Sequence, residues 1–282
     1  MKILICGSSG DVGNNLIKLL SKKNYTITSA SRSLNKKSYK NVENIKIDFS
    51  KNFKINKKFD LIINCIATHE LSNKKSINDY INSNILTPVN ILKYFNDKKV
   101  KILNLSTISI FDLTKQKVLK ENCTAVLSSK LSITKFLGEK ILSHGKFEII
   151  NLRLPGIITN SLIHKRPWIK NIVSKLKKDQ DVYLYNSNKK FNSMIDVNDL
   201  VRLIDHLLNK KFISGNYNLS ASNPIKLSKL IFHIKDKLNS NSKIITLGNN
   251  QSNIIISNNL IKNKLGFKPS TVLQITNRQL DD

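Results

Sequence analysis

Hydrophobic and polar positions in the first half of the chain follow two alternating periods. Short runs rich in β-branched residues occur at Lys2–Cys6, Tyr25–Ala30, Ile45–Ile47, Leu61–Ile66, Val100–Leu105 and Phe147–Leu152. Between them lie longer stretches with helical spacing at Val12–Ser21, Ile77–Phe95 and Leu127–Leu142. The short runs are almost continuously apolar, as strands are when both faces of a sheet are covered. This alternation predicts an α/β fold, a doubly wound parallel sheet with right-handed crossovers. Ligands of such sheets lie beyond the carboxyl ends of the strands, so the residues just after each strand are the place to look for chemistry. After Pro155 the pattern loosens. Helices are predicted at Trp168–Lys177, Asp199–Leu208 and Leu227–Leu238, separated by Asn/Ser-rich connections, as in a smaller lobe closing over the sheet edge. Asn239–Lys243 reads as a surface loop.

The 282 residues suffice for one well-buried core and such a lobe. No apolar run is long enough to span a membrane. The one that opens the chain is too short for a signal peptide, so the expected location is the cytoplasm, without membrane insertion. The formal charge of +28 invites a nucleic-acid reading. Nearly all of it is scattered lysine, however, with only Arg32, Arg153, Arg166, Arg202 and Arg278 as arginines. The lysines often sit beside asparagine and isoleucine, and all three have AT-rich codons, so biased genome composition accounts for the excess. No aromatic platforms are interleaved with arginine forks, and no specific nucleic-acid partner is expected. Cys6, Cys65 and Cys123 have no paired spacing and read as reduced thiols, with Cys6 and Cys65 in strands. The five histidines lack ligand spacing, so no metal is expected. A Ser-His-Asp hydrolase is unsupported, because no nucleophile elbow is present.

The stretch Gly7-Ser8-Ser9-Gly10-Asp11-Val12-Gly13 joins the first strand to the first helix. Glycine permits a tight turn there, and the helix N-terminus offers N–H groups and partial positive charge to a pyrophosphate. The spacing is G-x-x-G-x-x-G, and its position makes the case for a dinucleotide site. The second strand ends in Ala30-Ser31-Arg32-Ser33 with no acidic residue to hold the ribose of NAD. Arg32 suits a 2′-phosphate instead, so NADP(H) is favoured over NAD(H), the alternative being a solvated arginine. Asp48, after the third strand, is a candidate for the adenine amino group or for a helix cap.

Several motifs in order along the chain resemble the extended short-chain dehydrogenase/reductase family, in the style of its nucleotide-sugar epimerases, dehydratases and 4-keto reductases. After the glycine loop come Asp60–Ala67, ending in small residues, then Asn84-Ile85-Leu86-Thr87 and Leu105-Ser106-Thr107. Thr134-Lys135-Phe136-Leu137-Gly138-Glu139, Arg153-Leu154-Pro155-Gly156 and Phe191–Leu200 follow. The resemblance implies a Rossmann domain over residues 1–155 and a substrate lobe over 156–282, with 190–210 returning to the sheet. It also implies cofactor contacts at Gly7, Ser9, Gly10, Asp11, Val12, Gly13, Arg32, Asp48, Ala67, Asn84, Lys135 and Pro155, and catalytic roles for Thr107 and Lys135. A homodimer through the helices carrying Lys135 and Asn84 is a further expectation from the family.

One element of the family pattern is missing. Its tyrosine stands four residues before the lysine, on the same helix face, where the ammonium lowers the phenol's pKa for proton exchange. That position is Leu131, and no tyrosine lies between Tyr94 and Tyr183. Two readings stay open. One is an NADP(H)-dependent reductase or epimerase-like enzyme acting on a nucleotide-linked keto sugar with another proton donor, His69, Glu70, Tyr183 and Tyr185 being candidates. The other is a catalytically silent NADP(H)-binding protein with a regulatory or scaffolding role. A vestigial site is disfavoured by the retained glycine loop, Thr107 and Lys135. At the substrate end, Arg166 or Lys165 could meet a diphosphate and Trp168 could cover a sugar or base. Lys190 and Arg202 are lower-ranked cationic candidates.

Overall fold

A computed structural model describes residues 1–34, 37–69, 75–111, 117–159, 167–248 and 253–280. The first half builds strands β1 (Lys2–Cys6), β2 (Thr26–Ser31), β3 (Val42–Lys46), β4 (Leu61–Asn64) and β5 (Lys101–Thr107). The short β6 (Val118–Leu119) precedes β7 (Glu148–Leu154) and β8 (Ile157–Ile158). Later strands are β9 (Val182–Leu184), β10 (Lys190–Phe191), β11 (Ile195–Asp196), β12 (Gly215–Asn218), β13 (Ile225–Lys226), β14 (Ile244–Thr246) and β15 (Ile255–Ile256). Seven strands form one sheet in the order β12-β7-β5-β4-β1-β2-β3, and every pairing in it is parallel. The remaining strands pair two by two: β8 with β11, β6 with β15, β9 with β14, and β10 with β13.

Helices cover both faces of the sheet, which is why its central strands are apolar on both sides. On one face, α1 (Asp11–Leu20) and α6 (Val197–Asn209) bury Leu16, Ile17, Leu20, Leu203 and Leu207 against Ile3, Ile5, Ile63 and Ile150. On the other, α3 (Thr87–Phe95) and α4 (Lys130–Ser143) bury Ile91, Phe95 and Leu142 against Leu4, Ile62, Ile102 and Ile149. The segment read as one helix over Ile77–Phe95 is α2 (Ile77–Ile81), a π-helical turn at Asn82–Leu86, and α3. Pro88 gives a physical reason: it has no N–H for the Asn84 carbonyl four residues back, so the regular ladder cannot pass through.

Beyond residue 155 come α5 (Pro167–Leu176), α6, α7 (Leu227–Lys237), α8 (Asn259–Leu265) and α9 (Val272–Leu280). The chain meets the main sheet again through α6, which packs on α1, and through β12 beside β7. The strand β12, α8 and α9 have no counterpart in the hydrophobic pattern. The loop reading of Asn239–Lys243 needs correction at two positions, since Ser240 and Ser242 are buried. Asp179 anchors that segment by accepting from the Ser240 hydroxyl at 3.0 Å and the Asn241 N–H at 2.7 Å.

A polar row, buried at Asn64, Asn104 and Asn151 and half-buried at Asn216, crosses the sheet on the α3/α4 face. Asn64 donates to Asn104 (2.9 Å), Asn104 to Asn151 (2.8 Å) and Asn151 to Asn216 (3.0 Å). These residues are register partners on β4, β5, β7 and β12. A one-residue slip would strand buried amides, so the row fixes the register of four strands.

Candidate active site

The glycine turn is shaped by close approach. Gly7 has φ +80°, and a Cβ there would lie 2.8 Å from Ile66 Cγ1 and 3.0 Å from the Ile66 nitrogen. A Cβ on Gly13 would lie 2.5 Å from the Gly7 carbonyl oxygen and 2.8 Å from Ser8 Cα. Gly10 caps α1 without a side-chain hydrogen bond, so no hydroxyl or carboxylate of its own covers the helix N-terminus. This bare, tightly folded cradle at a helix start fits the pyrophosphate of a nicotinamide dinucleotide.

Two hollows lead away from the cradle and meet at Cys65 and Ala67, beyond the end of β4. The first, ≈ 210 Å³, holds Gly7, Ser9, Gly10, Arg32, Asp48 and Ala67 on its walls, together with Lys75, Asp79 and Thr87. Arg32 is exposed at the end of β2. Burial raises the Asp48 carboxyl, but the Ser50 hydroxyl and N–H, with Arg32 and Lys51, outweigh it and hold it below its ordinary value. Asp48 Oδ1 accepts from Ser50 Oγ at 2.7 Å and Ser50 N at 3.0 Å, so the carboxylate organises its own turn and also faces the hollow.

The second hollow, ≈ 250 Å³, brings together Val12, His69, Thr107, Leu131, Lys135 and Pro155, with Ser106, Ser109 and Gly156. Thr107 Oγ1 accepts from the Ser109 N–H and donates to its hydroxyl, both at 3.1 Å. Lys135 Nζ donates to the Leu105 carbonyl at 2.6 Å. Burial lowers its ammonium from 10.5 to about 8, against the opposing pull of Glu139 and Cys65. Burial also raises the Cys65 thiol to about 12, although Lys135 opposes the shift.

Three sequence-derived candidates stand behind these walls. Asp11 Oδ2 accepts from Thr159 Oγ1 at 2.9 Å, tying α1 to the chain after β8. Gly13 packs under Gly7. Asn84 Nδ2 donates to Thr134 Oγ1 (3.0 Å) and the Thr68 carbonyl (3.3 Å), and its Oδ1 accepts from the Thr68 N–H (3.1 Å). Asn84 therefore clamps the loop after β4 to α4. Gly138 allows the clamp to close: a Cβ there would lie 2.5 Å from the Asn84 carbonyl oxygen.

Other candidates lie elsewhere. Tyr183 on β9 and Tyr185 just after it are exposed and line neither hollow. Lys190 is exposed on β10, and Arg202 pairs with Asp199 on α6. Glu70, Lys165 and Arg166 lie outside the described residues, and of Trp168 only the backbone, in α5, is described. Sequence reasoning missed the support beneath Thr107. Glu139 on α4 and Arg153 on β7 form a buried ion pair at 2.8 Å, and Glu139 also accepts from Ser106 Oγ at 2.5 Å. In the sequence the two residues stood only as members of separate motifs, Glu139 closing the Thr134–Glu139 stretch and Arg153 opening Arg153–Gly156.

A parallel sheet, a glycine cradle at its first crossover, and a threonine ending β5 that shares a hollow with a lysine of α4 define an extended short-chain dehydrogenase/reductase. Residues 3–220 match the NAD dependent epimerase/dehydratase family, to which the chain belongs. A curated relative, CDP-abequose synthase of Salmonella muenchen, is 25% identical over 248 residues, covering 86% of this chain and 83% of its own. The fold resembles the Bordetella bronchiseptica enzyme WbmG in complex with NAD, with a TM-score of 0.80 and 15% identity over 99% of this chain and 92% of that one. It also resembles UDP-glucuronic acid 4-epimerase from Bacillus cereus in complex with NAD, with a TM-score of 0.76 and 16% identity over 97% and 95% of the two chains.

Proposed function

We propose that the chain is an NADP(H)-dependent reductase or epimerase-like enzyme acting on a nucleotide-linked keto sugar. One observation carries the reading: two hollows that share Cys65 and Ala67 place Arg32 and the glycine cradle on one side and Thr107 and Lys135 on the other. A nicotinamide nucleotide held there supplies or takes a hydride at the sugar carbon. Lys135 would hold the nicotinamide ribose, Thr107 would hydrogen-bond the reacting oxygen, and Val12 and Pro155 would bound the ring. The sugar-nucleotide class rests on the relatives, whose names specify a CDP-sugar synthase and a UDP-sugar epimerase. NADP(H) is preferred to NAD(H) because Arg32 and Lys75 border the first hollow, while both its carboxylates are hydrogen-bonded nearby, Asp48 to Ser50 and Asp79 to Ser76.

Leu131 favours a second reading, a silent cofactor binder, because it puts an apolar side chain beside Thr107 and Lys135. Fluorescence titration with NADPH and NADH, followed by a panel of nucleotide-linked 4-keto sugars, separates the two. The enzyme reading expects NADPH to bind about tenfold more tightly than NADH, as a charge-assisted pair with a phosphate implies. It also expects NADPH consumption that Thr107→Ala lowers about 10²-fold. Binding with no consumption across the panel supports the silent binder. Failure to bind either nucleotide sinks both readings.

A homodimer belongs to the same proposal. Leu86 and Val89 near α3, and Ile133 and Leu137 on α4, leave apolar side chains exposed on two helices packed together, and a second copy of the chain is the proposed occupant.

A further inference from the structure

The second hollow holds few groups able to exchange a proton with a substrate oxygen. Thr107 and Ser109 are hydroxyls bonded to each other. Leu131, one turn before Lys135 and 8% exposed, has no exchangeable proton on its side chain. Cys65 holds its proton too tightly at neutral pH. Glu139, one turn after Lys135, is committed to Arg153 and Ser106. His69 is exposed at the mouth of the hollow, on the loop after β4. Lys135 is buried at the wall, and among the described residues its one hydrogen bond goes to Leu105, two residues before Thr107 on the same strand. An ammonium has three N–H donors, so two remain for a ligand.

We infer that Lys135 itself exchanges the proton with the substrate oxygen, in place of the phenol that Leu131 cannot supply. The inference rests on the enzyme reading above. In the reducing direction the carbonyl carbon gains a hydride from the dihydronicotinamide, and the C=O π pair moves to oxygen. That oxygen takes a proton from Lys135 Nζ: an N–H bond breaks, an O–H bond forms, and the resulting neutral amine is reprotonated from solvent. In the oxidising direction the neutral amine takes the hydroxyl proton as the hydride leaves carbon. A group titrating near 8 can serve in both directions at physiological pH. The charged or titratable groups around it are Glu139 on its own helix, Cys65 and His69 from the end of β4, and Arg153 of β7 behind Glu139.

The test compares the parent with Lys135→Arg, which keeps the positive charge but does not release a proton, and with Lys135→Met as a second variant. Three quantities are read: NADPH affinity by fluorescence, kcat across pH 6–10, and the Lys135 side-chain titration by NMR in the oxidised-cofactor complex. The inference expects reduction to fall and oxidation to rise with pH through about 8, tracking the NMR midpoint. At saturating NADPH, whatever the change in affinity, Lys135→Arg should lose at least about 10²-fold in kcat. Lys135→Met should lose turnover as well. A Lys135→Arg enzyme with near-parental kcat and the same pH limb overturns the inference alone, as does an NMR midpoint above 10. A parent that binds NADPH and consumes none overturns the enzyme reading and this inference together.

Discussion

Lys135 shows at the scale of one residue how a buried ammonium weakens the fold that holds it. Its folded-state pKa, about 8, lies below the ordinary 10.5, so the unfolded chain binds this proton more tightly. Between those values the unfolded state carries more protons, and stability rises with pH. Below about 8 both states are charged and the burial cost is fully felt, on the order of 3 kcal/mol for a shift of this size. Removing the charge also forfeits the hydrogen bond to Leu105, about 1 kcal/mol. Lys135→Met is therefore expected to be more stable than the parent at pH 7, by about 1–3 kcal/mol, with the gain shrinking as pH nears 10. Urea unfolding at pH 7 and 9.5 measures both; equal or lower stability of the variant at pH 7 would contradict the burial argument.

At the scale of an element, α4 departs from the usual surface helix. It buries Ser132, Thr134, Lys135, Gly138 and Glu139 as well as Leu131 and Leu142. Its inward face is polar because it meets three different neighbours: the π-helical turn at Asn84, the end of β5 at Ser106 and Leu105, and β7 at Arg153. Both side chains of the Glu139–Arg153 pair are at most 5% exposed, so loss of one partner leaves a buried, uncompensated charge. Glu139→Ala would leave a buried guanidinium without its counter-charge and is expected to cost about 3–5 kcal/mol. Glu139→Gln retains a hydrogen-bonding partner and should cost less. Chemical denaturation of the two variants gives the comparison, and equal losses would show that the charge itself contributes little.

At the scale of the whole molecule, the asparagine row and the α3–α4 surface act in different directions. The row aligns β4, β5, β7 and β12 inside one chain. The exposed Leu86, Val89, Ile133 and Leu137 point to contact with another copy. If that proposal holds, Ile133→Lys with Leu137→Glu should give a monomer that is still folded, because both positions are about 42% exposed and a surface change away from caps and cores costs little. Sedimentation velocity of the parent and the double variant decides it. A parent that sediments as a monomer at micromolar concentration removes the dimer from the proposal. The net charge of +28 would slow close approach at low salt, so the measurement belongs at physiological ionic strength.

Much of the nucleotide half was legible because its signals are local. The apolar runs at Lys2–Cys6 and Leu61–Ile66, the three glycines and the Thr-Lys-Phe-Leu-Gly-Glu helix each act within a few residues, through backbone freedom, periodicity or i,i+4 spacing. The sequence by itself thus determined the α/β class, the order of the first strands and the family. What it could not determine depended on partners distant in the chain. Gly215-Asn216-Tyr217-Asn218 carries one apolar side chain and becomes a strand of the main sheet through β7 and the Asn151 amide. The position of Asn84 was marked by its motif, but its duty as a clamp needed Thr68 and Thr134, 16 and 50 residues away. Leu131 could be read as a missing tyrosine, but only the fold showed that it shares a pocket with Thr107 and Lys135 and that Tyr183 and Tyr185 do not reach it. Hydrogen bonds and burial between distant segments leave no period in a sequence, and these contacts were decided by the tertiary structure alone.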